Sequence, residues 1–202
     1  SNLCGALEFA EKISKSGTQP IIGTQINFRY GDTTGLLPLY ALDEDGYKKI
    51  IELSSLSYLN NDELSDAHLD IKELLVESNG VALFSGTVNG LFGKLFDKGK
   101  TKDIFELYNK FKSIYQNNFY IEIQRHGDQN EEGFEKFNLD KSYELKIPLI
   151  ATNEVFYLSN DMHEAHDELI CIKNKTYINE KNRIRFSDQH YLKNNHEMSK
   201  LF

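Results

Sequence analysis

The chain has 202 residues, enough for one large domain or two small ones, and its 40% hydrophobic content can bury a core, which excludes a disordered segment. Its 31 acidic and 23 basic side chains leave a formal charge of −8, so the chain as a whole is no electrostatic grip for a phosphate backbone. Two cysteines, Cys4 and Cys171, make no disulfide scaffold and lack metal-ligand spacing, no run approaches the roughly 20 apolar residues of a membrane helix, and no signal peptide opens the chain, so a cytoplasmic protein is expected.

The chain starts Ser1-Asn2-Leu3 without a Met and runs directly into a helical pattern, as a piece of a larger polypeptide would. Leu3, Leu7, Ala10 and Ile13 recur at helical spacing, with Ser1 or Asn2 as N-cap and Gly17 as stop. Ile21 to Phe28 and Leu36 to Leu42 read as strands, and Asp43 to Leu59 as a helix with an acidic first turn. A helix near Asp66 to Ser78 leads to the apolar strand Val81 to Phe84. Helices follow near Gly90 to Phe96 and over Lys102 to Tyr115, then the alternating strand Phe119 to Gln124. Glu131 to Leu145 reads as helix, Pro148 to Ala151 as a short strand and Asp161 to Ile172 as a further helix. Beyond Lys173 the text is polar and irregular up to a short helix near His196 to Phe202, which reads as a connector.

Strands alternating with helices predict class α/β, with βα units around a mainly parallel sheet, open or closed into a barrel. Lys outnumbers Arg by 19 to 4, which leaves few bidentate clamps for phosphate.

Parallel α/β folds gather reactive groups at the carboxyl ends of strands. The polar groups there are Gln25, Thr87, Arg125-His126-Gly127 and Thr152-Asn153-Glu154. A hydrolytic metal centre needs several carboxylates and imidazoles to hold divalent ions and acidify bound water. Of these groups only His126 and Glu154 are suitable ligands; Gln25 and Thr87 are neutral. Without context His126 reads first as a loop histidine satisfied by backbone. His163 and His166 share a helix face but lack a third ligand and miss the HExxH spacing, so a solvated or capping face is expected. Cys171 reads as a small core residue, and Gly86, Gly90 and Gly93 as a turn that fits neither dinucleotide nor P-loop patterns.

Several stretches, in order along nearly the whole chain, together resemble one family. They are Asn2 to Phe9, Gln19 to Gly23, Asp45-Gly46-Tyr47, Leu83 to Gly86, Phe119 to Gly127, Ile147 to Val155 and Glu164 to Asp167. The sequence resembles the polymerase-and-histidinol-phosphatase (PHP) domain of bacterial DNA polymerase III alpha subunits. That resemblance implies a distorted seven-stranded βα (TIM-like) barrel, here truncated at its first strand, which in the family carries a His-x-His metal motif. It implies a barrel domain over 1–173 and a connector toward the polymerase palm over 174–202.

Carried over residue by residue, the family's metal set mostly fails. A Glu stands as Gln25, a Cys as Thr87, and an Asp and a His as Glu154 and Phe156; only His126 matches outright. The expectation is a degenerate domain with His126 and Glu154 as remnant metal positions, no catalytic residue and no cofactor of its own. The resemblance implies that the parent performs template-directed DNA synthesis with divalent metal (Mg) held elsewhere. This part would brace the polymerase and dock the proofreading exonuclease subunit among the other replicase subunits, with DNA met through the rest of the parent and no membrane partner. The competing expectation is an enzyme: a metal-dependent phosphoesterase, pyrophosphatase or 3'-5' proofreading nuclease in the barrel.

Overall fold

The computed structural model describes residues 3–61, 66–76 and 79–202. Helix α1, Ala6–Lys15, ends where expected, with Gly17 at φ 76°; the proposed caps Ser1 and Asn2 lie outside the described residues. No α1 residue is buried, although Leu7 and Phe9 are large and apolar.

Strands β1 (Gly23–Tyr30) and β2 (Thr33–Ala41) form an antiparallel hairpin from Gly23↔Tyr40 to Tyr30↔Thr33. This corrects the expectation of βα units around a mainly parallel sheet. Gly31 and Asp32 alone link the strands, and a crossover to a parallel neighbour needs about a dozen residues; Gly31, at φ 58°, makes the reversal. Helix α2, Glu44–Leu59, follows, with Asp43 Oδ1 accepting the Gly46 N–H at 2.8 Å. Gly46 is required here, because an added Cβ would lie 1.7 Å from the Gly80 carbonyl.

The helix expected near Asp66 to Ser78 is absent from the described part of that stretch, and residues 77 and 78 lie outside it. Strand β3, Leu69–Asp70, instead pairs in parallel with Phe28 and Arg29 of β1, and a single 3-10 turn, Ile71–Leu74, follows. Asp70 caps that turn by accepting the Lys72 N–H, while Leu69, Ile71 and Leu74 are buried. Their spacing suits a helix, but strand pairing and burial are satisfied in fewer residues.

Strand β4, Val81–Phe84, is buried throughout and runs antiparallel to β2. Helices α3 (Leu91–Asp97) and α4 (Thr101–Tyr115) lead to β5 (Phe119–Ile123), parallel to β4. Helix α5 spans Glu131–Leu145 and β6 Leu149–Ala151. The six-stranded sheet has the order β3-β1-β2-β4-β5-β6, so the fold is mixed α/β. After a 3-10 turn over Asn160–Met162 comes α6, His163–Asn174; the final helix, α7, is Asn195–Leu201 with a capping box between Asn194 and Glu197. No helix among the described residues is long and apolar enough to cross a membrane.

The chain divides into two compact units, Ser1–Glu122 with Asn138–Ile150, and Ile123–Phe137 with Ala151–Phe202. In the first, the 3.6-residue periodicity of α4 turns Ile104, Leu107, Tyr108 and Phe111 inward. Phe92, Tyr108, Phe111 and Phe119 meet edge to face or tilted, with Phe92–Tyr108 centroids 4.8 Å apart and Phe111–Phe119 5.5 Å. Burying each such ring contributes about 1.5–3 kcal/mol. The Tyr108 hydroxyl donates to Asn138 Oδ1 at 3.0 Å, and burial pushes its pKa up.

The second unit has a smaller apolar core and more polar ties. Arg125 forks onto the Glu135 carboxylate, donates to the Leu201 carbonyl and lies over the Phe202 ring, so it joins α5 to the end of α7. Arg183 holds both oxygens of buried Asp167, which keeps that carboxyl below its usual pKa against the opposing effect of burial.

Candidate functional site

His126 follows the carboxyl end of β5 and is 3% exposed. The turn that carries it is held by Glu131, the first residue of α5. Glu131 Oε2 accepts backbone N–H groups from His126 at 2.8 Å, Gly127 at 2.7 Å and Asp128 at 3.3 Å. Its Oε1 lies 3.5 Å from His126 Nδ1. Burial alone would raise the Glu131 pKa, but the hydrogen bonds from the His126 ring and from the His126 and Gly127 amides outweigh it and the pKa is lowered.

The other ring nitrogen meets the segment after β6. Asn153 Nδ2 donates to the Tyr191 carbonyl at 2.7 Å, which turns the amide oxygen toward His126 Nε2 at 3.0 Å. The Glu154 N–H lies 3.3 Å from the same nitrogen. The Glu154 carboxyl is half-buried, and burial raises its pKa, with Asp128 adding to the rise and His126 opposing it.

A second imidazole completes the cluster. His190 is 1% exposed and stacks on His126 with centroids 4.1 Å apart. Its Nδ1 donates to the Glu154 carbonyl at 3.0 Å, and its Nε2 is buried without a hydrogen-bond partner. Phe156 lies against His190 at 4.9 Å and against His166 at 5.3 Å, while its N–H donates to the His190 carbonyl at 2.9 Å. His163 Nε2 donates to the Phe186 carbonyl at 3.0 Å. His163 and His166, expected on a solvated or capping face, are half-buried, and their rings pack against the 183–190 segment or Phe156, because that segment folds back over α6.

The structure thus brings together, within the second unit, three of the five positions singled out by sequence: His126, Glu154 and Phe156. The other two belong to the first unit. Gln25, on β1, lines a cavity of about 450 Å³ with Asn27, Ser57, Tyr58 and Asp66. Thr87, after β4, accepts the Asn89 N–H on its hydroxyl at 3.2 Å. Cys171 is buried, as its helical position implied. Sequence reasoning missed Glu131 and His190. Glu131 was legible only as an acid in a first helical turn, five residues after His126, and His190 sits in irregular text with no periodicity to mark it.

The residues matched to the family's metal set do not suit a divalent cation as they are placed. His126 Nε2 is already engaged by the Asn153 amide oxygen and the Glu154 N–H, Phe156 has no donor atom, and burial disfavours the ionised form of Glu154. Among the described residues no group of three or more His, Cys, Asp or Glu is arranged to hold a metal ion.

Residues 1–126 match the family model of the PHP domain. The chain belongs to the PHP-domain family. Over its whole length this PHP chain is 33% identical to the DNA polymerase III subunit alpha of Caulobacter vibrioides, 36% to that of Rickettsia conorii and 29% to that of Vibrio cholerae. It spans 17–18% of the length of those relatives. The PHP match ends at His126, so the cluster around that residue draws its other members, Glu131, Asn153 and His190, from beyond the matched region.

Proposed function

We propose that this chain is the PHP part of a DNA polymerase III alpha subunit and serves it as a non-catalytic brace and docking module. The parent would carry out template-directed DNA synthesis with divalent metal held in its remaining length. This part would support the polymerase body and bind the proofreading exonuclease subunit. In this reading the 1–173 region is a seven-stranded PHP barrel that lacks its first strand, and 174–202 leads toward the palm. Gln25, Thr87 and Phe156 are positions where metal ligands have been lost, and His126 and Glu154 are remnants.

The observation that carries the reading is the use made of His126. Its Nε2 meets the Asn153 amide oxygen and the Glu154 N–H, its Nδ1 faces Glu131 and its face is covered by His190. An imidazole so engaged fastens the turn after β5 to the segments that follow β6 and α6. A metal-dependent phosphoesterase site built on His126 would need that ring free. The test is calorimetric titration of the purified exonuclease subunit into the full-length polypeptide, together with assay of the same preparation for phosphoester hydrolysis. Saturable binding without hydrolysis is expected. No binding, or hydrolysis abolished by His126→Ala, would contradict the reading.

A further inference from the structure

Helix α6 has two unlike sides. Asp167 and Cys171 are buried, with His163, His166 and Ile170 half-buried, and that side packs within its own unit. On the other side Ala165, Leu169 and Ile172 are exposed, continuing a line that starts at the N-cap Met162. Met162 is 43% exposed, Leu169 62% and Ile172 74%. Successive steps of three, four and three residues are the spacing of a heptad seam, which sets side chains in one row along a helix. Asp161 and Glu168 border the row on one flank and Lys173 on the other. Single exposed apolar residues are ordinary; a row at seam spacing is shaped to receive another helix.

We propose that this row seats an apolar helix from the remainder of the full-length polypeptide, and that this contact fixes the second unit to the polymerase body. The inference rests on the bracing role proposed above and names the surface that performs it. Two considerations choose the occupant. The chain spans 17–18% of its relatives' length, so more than four fifths of each such polypeptide lies outside it. The row is also small. At about 1.5 Å rise per residue it is about 15 Å long, a contact on the order of a few hundred Å². Separate molecules that associate stably bury about 800 Å² each, so the row alone could not hold a second copy or a free subunit. A segment of the same polypeptide can be held by much less, because the tether keeps it at an effective concentration in the millimolar range.

The test places a benzophenone amino acid at Leu169 in the full-length polypeptide, irradiates it and identifies the joined peptides by mass spectrometry. The expected result is an intramolecular cross-link from position 169 to a peptide outside residues 1–202, lost when Ile172→Asp is introduced as well. The same probe at Tyr143, which is 90% exposed in the other unit, is expected to give no such link. A link to a second copy, to another subunit or only within residues 1–202, or no link at all, would overturn the proposal. A link to the exonuclease subunit would do so while leaving the docking role intact. Hydrolysis dependent on His126 would defeat the non-catalytic part of the proposed function without altering the cross-link.

Discussion

The rings of His126 and His190 lie within 4° of parallel, and among the described residues the His190 ring hydrogen-bonds only from Nδ1 to the Glu154 carbonyl. Burial lowers the His190 pKa, and the neighbouring His126 lowers it further. The groups facing the pair are Glu131, Asp128, Glu154 and Lys193.

A depressed histidine pKa fixes the sign of a pH effect. The folded state binds fewer protons than the unfolded one, whose value is about 6.5, so the contribution is complete above that value and lost as pH falls through the folded one. The thermal midpoint is expected to drop between about pH 7.5 and 5.5. His190→Gln is expected to flatten that interval. Thermal scans across it check both, and an unchanged slope in the variant would contradict the assignment.

Glu154 has the opposite sign from an ordinary paired carboxylate. Its pKa is raised, so ionisation at neutral pH opposes folding, and the opposition disappears below its unfolded value of about 4.3. Glu154→Gln is expected to raise stability at pH 7 by about 1 kcal/mol or less, with no gain near pH 4. Urea unfolding at the two pH values measures the difference.

Glu131 is expected to be the most sensitive polar position of the cluster. Its Oε2 gathers three backbone N–H groups, and removing the charge weakens each charge-assisted bond. Glu131→Gln is expected to cost about 2 kcal/mol. Hydrogen exchange of the His126, Gly127 and Asp128 amides reports it directly, since all three should exchange faster in the variant.

Core and periphery of the first unit differ in the same way. Phe111 is fully buried among rings, and Phe111→Ala is expected to cost about 3–5 kcal/mol. Leu7, 78% exposed on a helix with no buried residue, is expected to change stability by less than about 0.5 kcal/mol when made Ala. Chemical unfolding of the two variants side by side is the check.

Helices with long, regular apolar periods were legible from the text, and Glu131–Leu145 and Glu44–Leu59 appear within a residue of expectation. The β1–β2 hairpin was not, although Gly31-Asp32 between two β-rich runs is a two-residue turn signal. Reading the strands as ending at Phe28 and resuming at Leu36 hid the two-residue turn inside an apparent loop. Leu69, Ile71 and Leu74 misled because their spacing serves a 3-10 turn as well as an α-helix. At the site, His126, Asn153 and Glu154 stood out as polar groups at strand ends, whereas His190 acts through long-range contacts that no local pattern encodes.

The central claim is that the PHP part of this polypeptide holds its fold with His126 rather than a metal ion with it. Elemental analysis of the full-length polypeptide, purified without chelators and compared with its His126→Ala variant, tests this most directly. The expected result is substoichiometric zinc and manganese, equal in the two proteins. Stoichiometric zinc or manganese that His126→Ala removes would contradict it.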